Sequence, residues 1–133
     1  MTTISTEPIS GRDVLEQFLA ATERRDYTAM SALAHPAIEM SWPQSGERFV
    51  GRDNALAAVL ATEEKPEIAG EPRILGGGSA WVLTMPLRYG ADIYHYAGVF
   101  EVEDGMIRRS TEFFGAPFPA QPARAPFAEP AAQ

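Results

Sequence analysis

Val14, Leu15, Phe18, Leu19 and Thr22 recur at helical spacing behind Ser10-Gly11-Arg12-Asp13, which has the form of a capping box. Together they predict an amphipathic helix over 12–24. Asp26 is placed to cap a second, shorter helix carrying Tyr27, Met30, Leu33 and Ala34 on one side. His35-Pro36 should end it, because proline disfavours helical backbone at the residue before it. From Ala37 the period changes to two. Ile38, Met40 and Trp42 alternate with Glu39 and Ser41, which predicts a short half-buried strand that closes at the turn Pro43-Gln44-Ser45-Gly46. Phe49-Val50 is expected to return beside it, and Ala55, Leu56, Val59 and Leu60 mark a third helix that ends before Pro66. Residues 65–72 read as a connector.

Everything over 73–114 reads as sheet. Trp81, Leu83, Met85 and Leu87 alternate along one long strand, in which Pro86 predicts a sheet edge or a bulge. A turn over 88–92 leads into a strand over 93–103, and Asp104-Gly105 turns the chain again into a last strand over 106–114. Helices first and an antiparallel meander afterwards define an α+β chain. The expected organisation is an N-terminal arm over 1–9, one domain over 10–116 and a tail over 117–133. That tail carries Pro117, Pro119, Pro122, Pro126 and Pro130 among alanines and suits extended or disordered backbone, with Phe118 and Phe127 free to dock on the body.

Composition removes several functions. The chain has 133 residues with 45% hydrophobic side chains, enough for one modest core. A formal charge of -7 repels a phosphate backbone, so nucleic acid is not an expected partner. The first residues lack the basic and apolar segments of a secretory signal, and no long apolar run suggests a membrane span, so a cytoplasmic location is expected. Without cysteine there is no thiol chemistry and no thiolate metal site, and the two histidines fall on different elements, so no metal site is expected. Gly76-Gly77-Gly78 is not followed by Lys-Ser/Thr or by a helix, and reads as a strand-end turn. Asp26 and Asp53 read as helix-terminus residues.

The order of elements, with Glu23-Arg24-Arg25-Asp26, His35-Pro36-Ala37-Ile38, Ser45-Gly46-Glu47 and Phe49-Val50-Gly51-Arg52 between them, resembles the nuclear transport factor 2-like superfamily and, more narrowly, its SnoaL-like branch. The resemblance spans roughly 10–116. It implies a cone-shaped curved antiparallel sheet, as in cystatin-like folds, packed against three N-terminal helices around an apolar cavity, with no cofactor. Members include ketosteroid isomerase, limonene epoxide hydrolase and polyketide cyclases. The isomerase's general-base aspartate falls at Trp42, its oxyanion-hole tyrosine at Phe18 and its protonated aspartate at Gly98, so its machinery is missing here. Ile107-Arg108-Arg109-Ser110-Thr111-Glu112-Phe113-Phe114 is similar to the epoxide hydrolase's closing strand, and Glu112 matches one of its two aspartates. The strand over 81–87, where the second should lie, has no ionisable residue.

Whether Glu112 faces the cavity depends on how the Asp104-Gly105 hairpin closes. A two-residue turn pairs Ala97 with Glu112 and sends the acid to the side of His95. A three-residue loop over 103–105, with Gly105 left-handed, pairs Tyr96 with Glu112, Gly98 with Ser110 and Tyr94 with Phe114. The second is preferred, because it puts Gly98 and Glu112 on one face, as the resemblance requires. Phe18, Tyr27, Met40, Trp42, Tyr94, Tyr96 and Phe114 then wall an apolar pocket holding Gly98, Ser110 and Glu112. Glu112 is the candidate acid/base, with Tyr94 and Tyr96 as hydrogen-bond donors; a desolvated carboxyl there has its pKa raised toward neutrality. In the competing reading, Glu112 pairs with Arg88, Arg108 or Arg109 and only ties strands together. His95 alternates onto the outer face and His35 marks the helix-to-strand corner. Expected partners are an apolar or aromatic small molecule and a second copy, docked through the outer face of His95, Ala97, Val99 and Thr111. The expected function is isomerisation, cyclisation or dehydration of that molecule; the alternative is a non-catalytic ligand-binding or dimerisation module.

Overall fold

Ser10 opens the first helix as the capping pattern predicts. In the computed structural model, which describes residues 10–130, its hydroxyl accepts from the Asp13 amide at 3.2 Å and α1 runs Gly11–Arg24. Arg25, left-handed at φ 55°, ends it, and the Asp26 carboxylate accepts from the Ala29 amide at 3.0 Å to start α2, Tyr27–Ala32.

The chain enters the sheet three residues earlier than the periodicity predicts. The strand β1 spans Ala34–Trp42, with Ala34 beside Ile107 and the Leu33 carbonyl accepting from the Ile107 amide at 2.8 Å. His35-Pro36 therefore lies inside a strand instead of closing a helix. Proline is tolerated there because the pairing of β1 is irregular between Ala34 and Glu39. In that gap the His35 ring nitrogen accepts from the Ala37 amide at 3.0 Å.

Next come β2 (Glu47–Val50), α3 (Arg52–Ala61), a short β3 (Glu67–Ile68) within the predicted connector, β4 (Arg73–Gly77), β5 (Ala80–Tyr89), β6 (Asp92–Glu103) and β7 (Met106–Gly115). The sheet order is β2-β1-β7-β6-β5-β3, with β4 also on β5. It is mixed, not wholly antiparallel, since β1 runs parallel to β7. Pro86 sits on β5 between the stretches paired to β3 and β4, its carbonyl accepting from the Ala69 amide at 2.9 Å. A strand residue's nitrogen and carbonyl point the same way, so the missing donor faces the break between those two partners.

The last hairpin closes by the two-residue turn and not by the preferred three-residue loop, and its register is neither of those anticipated. Glu103 pairs with Met106 across a two-residue turn whose Asp104 and Gly105 both have positive φ, 54° and 73°. A bulge then intervenes: Val102 pairs with Ile107 but Glu101 with Arg109, so Arg108 is the extra residue. Beyond it Gly98 lies opposite Glu112 and Tyr96 opposite Phe114. The register is two residues from the preferred expectation and keeps its parity. Tyr96, Gly98, Ser110 and Glu112 therefore share one face, as expected, for a different reason.

That face is covered by α1, α2 and α3. Val14 and Leu15 of α1 and Leu83 and Phe100 of the sheet are essentially inaccessible, each contributing about 1.5–3 kcal/mol of burial. The Phe18 and Phe100 rings meet at 5.5 Å. After Gly115 the described tail is exposed throughout and forms a 3-10 helix over Pro122–Phe127. Phe118 and Phe127 do not dock, being 82% and 88% exposed. Among the described residues no helix is long and apolar enough to cross a membrane.

Candidate functional site

Between the sheet and the helices lies a cavity of about 440 Å³ with a mainly apolar wall. Its sheet side is built by alternation: Met40 and Trp42 on β1, Met85 and Leu87 on β5, Tyr96 and Phe100 on β6, and Ser110, Glu112 and Phe114 on β7. Phe18 and Tyr27 line it from the helices. Arg25, Glu47, Arg52, Glu64 and Lys65 also line it, all exposed or half-buried, which places the charged lining toward solvent and leaves the interior to Glu112.

Glu112 is 8% exposed. Its Oε1 accepts from the Tyr96 hydroxyl at 2.5 Å and its Oε2 from Trp42 Nε1 at 3.1 Å. No ion pair reaches it among the described residues. The arginines of the competing reading are elsewhere: Arg108 donates to the Ala37 carbonyl at 2.6 Å, Arg109 bridges Glu39 and Glu101 at 3.5 and 3.2 Å on the outer face, and Arg88 is exposed. Burial pushes the Glu112 pKa above the ordinary carboxyl value, while the hydrogen bonds from Tyr96 and Trp42 hold it partly down. Tyr96 is driven well above the ordinary phenol value by burial and then by the adjacent Glu112 charge and hydrogen bond. The phenol thus stays protonated and donates a hydrogen bond to the carboxylate.

Aromatic packing fixes the two donors. The Trp42 ring meets Phe49 at 4.8 Å and Phe114 at 5.9 Å, both edge to face, and Tyr96 meets Phe114 at 5.3 Å. Gly98 makes room for the Tyr96 hydroxyl: a Cβ there would lie 2.5 Å from that oxygen and 2.6 Å from the Phe100 ring. Gly98 is thus covered and does not line the cavity. Tyr94 is on the same face of β6 but outside the cavity, its ring 4.7 Å from that of Tyr89. Ser110, 2% exposed, does line the cavity.

Tyr89 and Gln44 also line the cavity and were not anticipated. Tyr89 continues the alternation of Leu83, Met85 and Leu87, a signal obscured by reading it as part of the turn. Gln44 Nε2 donates to the Phe114 carbonyl at 2.9 Å and its Oε1 accepts from the Phe114 amide, so the side chain acts as a strand partner for the end of β7. Nothing in the sequence marks that role. His95 is exposed on the outer face and His35 lies in the β1 irregularity, both away from the cavity. No cluster of three or more His, Asp or Glu suited to a metal occurs among the described residues.

No protein-family model matches the sequence, and no curated protein does. Solved structures do. A nuclear transport factor 2-like protein of unknown function from Burkholderia xenovorans is 28% identical, with a TM-score of 0.80 over 91% of this chain and 94% of that one. A candidate ketosteroid isomerase from Kribbella flavida shares 21% identity and a TM-score of 0.81 over 92% and 90% of the two chains. A candidate polyketide cyclase from Pseudomonas putida shares 18% identity and a TM-score of 0.72 over 80% and 92%. At such identities the last two speak for the fold alone.

Proposed function

We propose that the chain, which shares the fold of nuclear transport factor 2-like proteins, is a SnoaL-like member of that superfamily that binds an apolar, cyclic or aromatic small molecule and moves a proton on it through Glu112. The observation that carries this reading is the Glu112 carboxyl, buried in a mainly apolar cavity, in no ion pair among the described residues and held by two neutral donors. Each oxygen accepts one bond from the protein, which leaves a further lone pair on each for a ligand. A carboxylate so placed takes a proton from an activated carbon or hydroxyl, becomes the neutral acid, and returns the proton at a second position. Isomerisation, cyclisation and dehydration all have that form, and none needs a cofactor. Tyr96 and Trp42 act as positioning residues, because their protons are already engaged by Glu112.

That engagement also favours a second reading. With the Tyr96 and Trp42 protons committed, and with Phe18 and Gly98 lacking donors, few groups are left to stabilise a developing oxyanion. A non-catalytic ligand-binding or dimerisation module would need none. Native mass spectrometry of the purified protein tests both readings. A retained apolar molecule that the wild type converts and Glu112→Gln binds unchanged supports the enzyme; one that neither protein converts supports the module. A cavity that retains and binds no apolar molecule overturns both ligand-binding readings. We also propose a homodimer through the outer sheet face, where Val99 and Phe113 are 42% and 39% exposed.

A further inference from the structure

Ser110 is 2% exposed and faces the cavity, yet its hydroxyl has no hydrogen-bond partner among the described residues. Because no fully sealed polar side-chain atom lacks a partner among the described residues, the Ser110 oxygen must touch cavity space. Its surroundings explain why it is free. On β7 it lies between Met40 of β1 and Phe100 of β6, and the backbone of β7 is paired on both sides. Other hydroxyls on the cavity wall are already used: Thr22 donates to the Phe18 carbonyl, Ser45 to the Trp42 carbonyl and Tyr96 to Glu112. Tyr27, Ser31 and Tyr89 are only half-buried. A hydroxyl held among apolar groups with no protein partner is free to bond an incoming acceptor or donor.

Ser110 and Glu112 are two residues apart on one strand face, so their Cα atoms are about 6.6 Å apart. Both side chains enter the same cavity. A six-membered ring bearing oxygen functions at opposite positions spans a comparable distance. We infer that the Ser110 hydroxyl is a second polar contact of the cavity, and that with Glu112 it selects cyclic ligands carrying two oxygen functions across one ring. The inference rests on the reading that the cavity binds an apolar small molecule, and narrows that molecule's class.

The test uses calorimetric titration of the full chain with para-hydroxyacetophenone and with para-isopropylphenol, which has the same shape without the ketone oxygen. The phenol donates to the Glu112 carboxylate in both compounds, and the ketone accepts from Ser110 in the first alone. Wild type is expected to bind the ketone about tenfold more tightly. Ser110→Ala should erase that preference and leave the affinity for the isopropyl compound within about twofold. A preference that survives Ser110→Ala, or its absence in the wild type while the isopropyl compound binds, overturns the role of Ser110 and leaves the cavity reading standing. Failure of both compounds to bind the wild type overturns both.

Discussion

Tyr96→Phe removes one oxygen and leaves the ring that packs at 5.3 Å from Phe114. What is lost is the donor to Glu112 Oε1. A hydrogen bond to a charged group contributes about 1.5–3 kcal/mol, against about 0.5–1.5 kcal/mol for a neutral pair. The ionised carboxylate therefore loses about 1–1.5 kcal/mol more than the neutral acid does, roughly tenfold in its acid dissociation constant. The direction follows from the opposing effects: burial favours the neutral acid, the two donors favour the anion, and deleting one donor moves the titration to higher pH. The chain has two tryptophans, which makes the change readable. Trp42 Nε1 donates to Glu112 Oε2 at 3.1 Å, whereas Trp81 Nε1 donates to the Gly78 carbonyl at 2.9 Å. In nitrogen-proton NMR spectra the Trp42 indole signal should follow the ionisation of Glu112 while the Trp81 signal stays still. The Trp42 midpoint is expected about one pH unit higher in Tyr96→Phe than in the wild type. A midpoint that is unchanged or lower, or a Trp42 signal that moves no more than that of Trp81, would refute the assignment of Tyr96 as the donor that sustains the anion.

Glu112→Gln should change how stability depends on pH. The folded-state pKa of Glu112 lies above its unfolded value, so the stability it contributes is fully present below the unfolded pKa and is lost as pH rises through the folded one. The melting temperature of the wild type relative to Glu112→Gln should thus fall from about pH 4 toward neutrality, and a constant difference across thermal melts counts against the burial argument. Gly98→Ala places a Cβ where the Tyr96 hydroxyl and the Phe100 ring edge now sit. It should cost about 1–3 kcal/mol in urea unfolding and raise the Trp42 midpoint as Tyr96→Phe does; an unaltered titration would separate Gly98 from the site. Val99→Glu with Phe113→Glu puts two carboxylates on the outer face and should leave a monomer by light scattering at micromolar concentration, where the wild type is expected to be dimeric. A monomeric wild type would end that proposal.

The helices were legible because their signals are local. Ser10 and Asp26 cap where predicted, and α1 and α3 lie where the apolar spacing puts them. The start of β1 was not legible, because a proline in the first residues of a strand and a proline after a helix look alike from within the chain. What decides is that the Leu33 carbonyl and Ala34 meet Ile107, more than seventy residues away in sequence. The same holds for β3, two residues long and defined only by its partners Leu87 and Arg88. Trp42 was placed on the cavity wall by alternation, but its role as a donor to Glu112 depends on contact between β1 and β7.

The side on which Glu112 lies shows how a correct face can follow from an incorrect register. Alternation makes the outcome depend only on whether the residues skipped between β6 and β7 are odd or even in number. A glycine in a hairpin loop is where such an extra residue is ordinarily sought, and Gly105 is left-handed. Yet Asp104 is left-handed too, so the turn is the tight two-residue form and supplies no extra residue. Arg108 does so two positions into β7, and no glycine or proline marks it. Its guanidinium donates to the Ala37 carbonyl, beside the stretch of β1 where that strand's own pairing is irregular. Two irregularities on adjacent parallel strands thus meet through one side chain. Removing the Arg108 bulge while keeping the turn would pair Ala97 with Glu112 and turn the carboxylate away from Tyr96 and Trp42. The acid in the cavity is therefore a consequence of a pairing defect held from the neighbouring strand, which no pattern within β7 itself could reveal.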